Sequence, residues 1–155
     1  QKIAIAICHG ITYNTVMGTA QIVLDTNVLI AALRSSKGAS HRLLRLVGCG
    51  LFRLNVSVPL VLEYEAAAKK LTPLSVRDID AIIDYICSVS AHRKVFYLWR
   101  PILTDPGDDM VLELAVSAGC GAIITFNKAD FVEAHKFGIR ILSPKEFLIE
   151  IGGLS

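Results

Sequence analysis

What most limits the fold of this chain is an alternation. Short apolar runs rich in β-branched residues, QIVL (21–24), LFRLNVSV (51–58), KVFYLW (94–99), AIITF (122–126) and IRIL (139–142), are separated by longer stretches with helical periodicity. Strands that alternate with helices in this way predict an α/β domain with a central, mostly parallel sheet of about five strands flanked by helices. AIITF has the near-continuous hydrophobicity of a strand buried on both faces.

The helical stretches carry their own punctuation. HRLLRLV places Leu43, Leu44, Leu46 and Val47 toward a core and Arg42 and Arg45 outward, and Gly48 ends it. Pro59 suits the first turn of PLVLEYEAAAKK, where Glu65 and Lys69 are spaced to pair across one helical turn. Ser75 caps a helix carrying Ile79, Ile82, Ile83 and Ile86, and Ser143 with Pro144 opens a last one. Glu113, on the helix after DPGDD, is expected to face solvent.

At 155 residues and 53% apolar content the chain suits one domain. The domain is predicted over 21–152, with 1–20 an N-terminal extension of upstream or added sequence in which Met17 is a candidate start. A lysine and a short apolar run there imitate a secretory signal, but His9, Gly10 and Asn14 interrupt it. The net charge of +2 is too small to mark a nucleic-acid binder, so any such evidence must come from local patches. Four cysteines without a C-x-x-C pair read as reduced, structural and cytoplasmic. No apolar run is long enough to span a membrane.

Against this background one placement stands out. QIVL runs directly into Asp25, and a carboxylate at a buried strand end is costly unless paired, hydrogen-bonded or bound to a metal. Ligands of open α/β sheets bind beyond the carboxyl ends of the strands. That rule selects Asp25 after the first strand, Asp108 and Asp109 at a helix start, and Asn127 and Asp130 after AIITF; Glu63 lies within a helix. Each has a plainer reading, as a helix cap, a favourable charge at a helix N-terminus or a solvated face. Together they suggest carboxylates converging on a hard cation, Mg²⁺ or Mn²⁺. Neither the cysteines nor the histidines show spacing suited to zinc, and no Ser-His-Asp or Cys-His arrangement competes.

The segments VLDTNVLIAAL (23–33), VSVPLVLEYE (56–65), DPGDDMVLELAVSAG (105–119) and AIITFNKADF (122–131) resemble, in order, those of the PIN domain family, the nuclease fold of many toxins in toxin-antitoxin pairs. The resemblance implies a Mg²⁺- or Mn²⁺-dependent endoribonuclease acting on RNA, a cognate antitoxin, a homodimer and a cytoplasmic location. Carried over by position, the catalytic and metal-binding acids are Asp25, Glu63 and Asp109, with Asp108 the less favoured occupant of the third place. The usual fourth acid falls on Asn127, an amide, for which Asp130 is a candidate replacement as metal ligand. Thr26, Asn27, Asp108 and Thr125 would orient the carboxylates and water. Arg34, Lys37, Arg42 and Arg45, with His41, form a basic group suited to RNA phosphates. HRK (92–94) with Arg100 is a second basic group, and FYLW (96–99) suits core packing better than base stacking.

Two other readings remain. Loss of catalysis through Asn127 would leave a module that binds RNA or a partner. A phosphatase-type enzyme with a nucleophilic Asp25 would want an acid where Asn27 stands.

Overall fold

β1 (Ala20–Leu24) occupies the middle of a sheet whose two halves are wound outward from it, in a computed structural model that describes residues 18–71, 74–95 and 101–154. Along the chain follow α1 (Thr26–Arg34), α2 (Ala39–Leu46), β2 (Phe52–Val56), α3 (Val58–Ala68), α4 (Val76–Val89) and β3 (Ala91–His92). Then come α5 (Pro106–Ser117), β4 (Ala122–Ile124), a 3₁₀ segment (Lys128–Phe137), β5 (Arg140–Leu142) and α6 (Pro144–Glu150). The five strands lie in the order β3-β2-β1-β4-β5, and every pairing is parallel.

That order carries the functional consequence. From β1 the chain winds through β2 to β3 on one side, then returns to place β4 against the other side of β1, with Leu24 opposite Ile124. The loops leaving β1 and β4 therefore diverge at the carboxyl edge and open a crevice where ligands of such sheets bind.

The core follows from the strand composition. Ile22, Val23, Leu24, Leu54, Val56, Ile123 and Ile124 are all buried, as a parallel sheet covered on both faces requires. α5 packs on β1, β2 and β4, while α1 packs on α2 and α3, and α2 on α6. Phe52 meets Phe147 edge to face at 5.4 Å between ring centres. Ser57, Ser75 and Ser143 each accept an N–H in the first turn of the helix they open, and Ser143 with Glu146 completes a reciprocal capping box. Gly138, at φ 71°, supplies the left-handed turn that ends the 3₁₀ segment. The Glu65–Lys69 pair forms as its spacing predicts.

Several expectations change. The third strand is the two-residue β3 at Ala91–His92; Lys94 and Val95 lie outside any strand, and 96–99 fall outside the described residues, as does most of the predicted extension. Glu113 is only 9% exposed, with Oε2 buried and unpartnered, because α5 is covered on several sides rather than on one stripe. Cys87 and Cys120 are free thiols. Among the described residues no helix is long and apolar enough to cross a membrane.

Candidate functional site

Asp25 sits where β1 ends, its backbone N–H bonded to the carbonyl of Ile124 on the neighbouring β4. It holds the N-cap position of α1, yet its side chain makes no capping bond. The carboxylate instead accepts a 2.7 Å hydrogen bond from Thr125 Oγ1 at the end of β4. Thr125 is fully buried and acts as a hub, since its Oγ1 also accepts from the Asn127 N–H at 3.0 Å and lies 3.4 Å from Asn27 Nδ2. Asn27 thus ties the first turn of α1 to the loop after β4.

Glu63 reaches the same crevice from α3. Its Oε2 accepts from Thr26 Oγ1 at 2.7 Å, so the residue next to Asp25 orients the second acid rather than the first. The adjoining Tyr64 is wholly buried, and its hydroxyl donates to the carbonyl of Leu24, which fixes α3 against the end of β1. Gly107 matters by its size: a Cβ there would lie 3.0 Å from Asp105 Oδ1 and 3.3 Å from Glu63 Oε1, so glycine lets α5 begin close beneath Glu63.

α5 then divides its two acids. Asp108 lines a cleft of about 650 Å³ shared with Asp25, Glu63, Asp105, Asn127 and Asp130. Asp109 is not on that wall; its Oδ1 accepts the backbone N–H groups of Ile102 at 3.1 Å and Leu103 at 2.8 Å and anchors the segment leading into α5. The two neighbours are thus placed the other way round from the positional expectation. Successive helical residues point about 100° apart, so Asp108 and Asp109 take different directions from α5.

The electrostatics agree. Burial pushes the Asp108 carboxyl up to about 6, with further upward pressure from Asp25, Asp105, Asp130 and Glu63. Burial likewise raises Asp25; hydrogen bonds from Thr125 and the Thr26 backbone oppose this, while Glu63 and Asp130 reinforce it. The Tyr64 hydroxyl is raised well above its ordinary range by burial and by the same two acids, Asp25 and Glu63. Among the described residues lining the cleft there is no lysine, arginine or histidine. Asp105 and Glu133 also line it, acids for which sequence position offered no signal beyond the cap preceding Pro106.

Glu133 pairs with Lys136, and the other hard oxygen donors, with no cation on the cleft wall, fit a divalent cation in chemistry. It is not a closed coordination sphere: among the described residues no three His, Cys, Asp or Glu side chains are grouped to hold a metal as they stand. The basic residues singled out above lie elsewhere. Lys37, Arg42 and Arg45 border a second cleft, Arg34 is exposed at the end of α1, and Arg93 donates to Asn55 Oδ1 at 3.0 Å. Arg100 and the aromatic run 96–99 fall outside the described residues.

An all-parallel α/β domain with an acid-walled crevice where its winding reverses defines the class. A family model described as PIN domain matches residues 21–129, and the chain belongs to that family, whose members are generally nucleases. The fold is similar to a chain in the crystal structure of VapBC2 from Rickettsia felis bound to a DNA fragment from their promoter, with a TM-score of 0.56. Sequence identity is 12%, over 78% of this chain and 98% of that one, so the likeness concerns the fold. Comparison with curated protein sequences gives no match.

Proposed function

We infer that this PIN domain, taken as 21–152, is an endoribonuclease that depends on Mg²⁺ or Mn²⁺ and is the toxin of a toxin-antitoxin pair. The observation that carries the reading is the cleft that Asp25, Glu63 and Asp108 all line, with no cation on the wall. Those three are the proposed catalytic and metal-holding acids, with Asp130 and the Asn127 amide oxygen as further donors. Asp109, the positional choice for the third acid, becomes the residue that anchors 102–103.

A bound divalent ion would activate water and stabilise the attacking and leaving oxygens of an in-line displacement. The chain's own part is orientation. Thr125 donates to Asp25 and Thr26 Oγ1 to Glu63, which fixes the direction of each carboxylate, while Asn27 steadies the strand end that presents Thr125. Arg34, Lys37, Arg42 and Arg45 are proposed to hold RNA phosphates. The likeness to a chain of VapBC2 supports an antitoxin partner for this chain, and we infer a cytoplasmic homodimer.

The test is cleavage of single-stranded RNA with Mn²⁺, with chelator, and in an Asp25→Asn variant. Metal-dependent cleavage to 5′ phosphate and 3′ hydroxyl ends, lost in the variant, is the expected result. The Asn127 amide and the open donor geometry favour one second reading, a weakened enzyme that works as an RNA- or partner-binding module. RNA binding without cleavage would select it. Sedimentation equilibrium tests the homodimer.

A further inference from the structure

The second cleft, of about 530 Å³, lies between α2 and the start of α6. Lys37, His41, Arg42, Arg45 and Lys145 stand on its wall, and among the described residues lining it there is no carboxylate. None of these lysines and arginines is in an ion pair found among the described residues. Arg42 and Arg45, three residues apart, share the solvent face of α2, opposite the buried Leu43. Lys145 arrives from the far end of the sequence through the packing of α2 on α6. His41 Nδ1 lies 3.1 Å from the carbonyl of Ala32, a bond that in the donating tautomer leaves Nε2 to the cleft.

Like charges gathered from two distant segments repel one another unless an anion sits among them. Neighbouring carboxylates are engaged elsewhere: Glu146 pairs with Lys128 and accepts the Ser143 N–H, and Glu150 pairs with Arg140. The non-polar wall is Ala39, Leu46 and Leu154, and among the described lining residues the one ring is the imidazole of His41, held through Nδ1 at the Ala32 carbonyl. Guanidinium and ammonium groups without a Phe, Tyr or Trp platform suit the phosphodiester backbone better than the bases.

An ion pair links the segments that border the two clefts. Asn127 and Ala129 line the acidic one, Lys145 lines the basic one, and between them Lys128 pairs with Glu146. A polyanion brought to a wall of carboxylates meets repulsion, which cations elsewhere on the molecule offset. We propose that the cleft between α2 and α6 docks the phosphodiester backbone of RNA flanking the scissile bond, independent of base identity; this rests on the nuclease reading above.

The experiment measures binding of a fluorescein-labelled oligouridylate by anisotropy across a salt series, in the Asp25→Asn background so that the probe stays intact. Arg45→Gln with Lys145→Gln is expected to weaken binding about tenfold or more at low salt. The slope of log affinity against log salt should shrink by about 0.7 for each phosphate that is no longer neutralised. Arg45→Lys with Lys145→Arg should keep the slope, and matching thermal unfolding curves separate charge loss from misfolding. An unchanged slope and affinity in the Gln variant would overturn the proposal. So would a variant that keeps oligouridylate binding and loses only an acidic peptide, oligoglutamate. Cleavage by the wild type with an unchanged slope sinks the docking site alone; a changed slope with no cleavage sinks the nuclease reading and leaves the docking site.

Discussion

The acidic cleft and the basic cleft are built on opposite terms. The first gathers Asp25, Glu63, Asp105, Asp108 and Asp130 where strand loops diverge, each held by a strand end, a helix start or a hydroxyl. The second gathers Lys37 on the turn before α2 and Arg42, Arg45 and Lys145 on exposed helix surface, with no such supports. A net charge of +2 hides this segregation, since both signs are concentrated in separate clefts. The supported cleft suits chemistry that needs fixed oxygens, and the unsupported one suits a flexible polyanion.

The largest effect that could break this contrast comes from Asp25→Asn. RNA cleavage should fall by more than the roughly 100-fold that loss of an outer partner costs, without loss of thermal stability, because a buried charge is removed. Loss of fold instead would make Asp25 structural. Next, exchanging the two adjacent acids should separate function from support. Asp108→Asn should abolish most cleavage while raising the melting temperature. Asp109→Ala should leave two N–H groups unpaired and lower stability by about 1 to 3 kcal/mol, read by urea unfolding. The reverse pattern would restore Asp109 as the site acid.

Thr125→Val tests the support itself. It removes the bond to Asp25 and should weaken Mn²⁺ binding about 10- to 100-fold, measurable by titration calorimetry. Unchanged affinity would mean Asp25 needs no orientation.

The smallest effect is in pH. With chelator present, the Asp108 carboxyl titrates near 6 in the folded chain against 3.8 unfolded, so the folded state binds more protons between those values. Its contribution therefore destabilises progressively as pH rises from about 4 to 6 and is constant above. Glu146 has the opposite sign: held near 2 by Lys128 and Ser143, it contributes stability above its ordinary 4.5 that is lost as pH falls toward 2. Melting curves should show Mg²⁺ or Mn²⁺ raising stability more at pH 7.5 than at 5.5. An increment independent of pH would separate the metal from the acidic cleft.

Much of the fold was legible because hydrophobic period and caps act locally. The strands at QIVL and AIITF, the Ser57, Ser75 and Ser143 starts and the Glu65–Lys69 pair all follow from residues within a few positions of one another. The position of the third strand was less legible, since a two-residue strand carries almost no periodic signal. Glu113 was misjudged for a related reason: an alternation of charge and leucine reads as a solvated face, whereas α5 lies under several neighbours. In the candidate site, Asp25 could be named from its strand end alone. Gly107 could not, because its value is a distance to Glu63, forty-odd residues earlier in the chain.

The sequence by itself determined a parallel α/β domain with a carboxylate at the end of its first strand, because both are written in neighbouring residues. Only the tertiary structure decided which acid of Asp108 and Asp109 turns to the crevice and that Lys145 joins Arg42 and Arg45. The physical reason is that helix rotation and the meeting of distant surfaces are set by how the whole core packs, and no local stretch of chain contains that information.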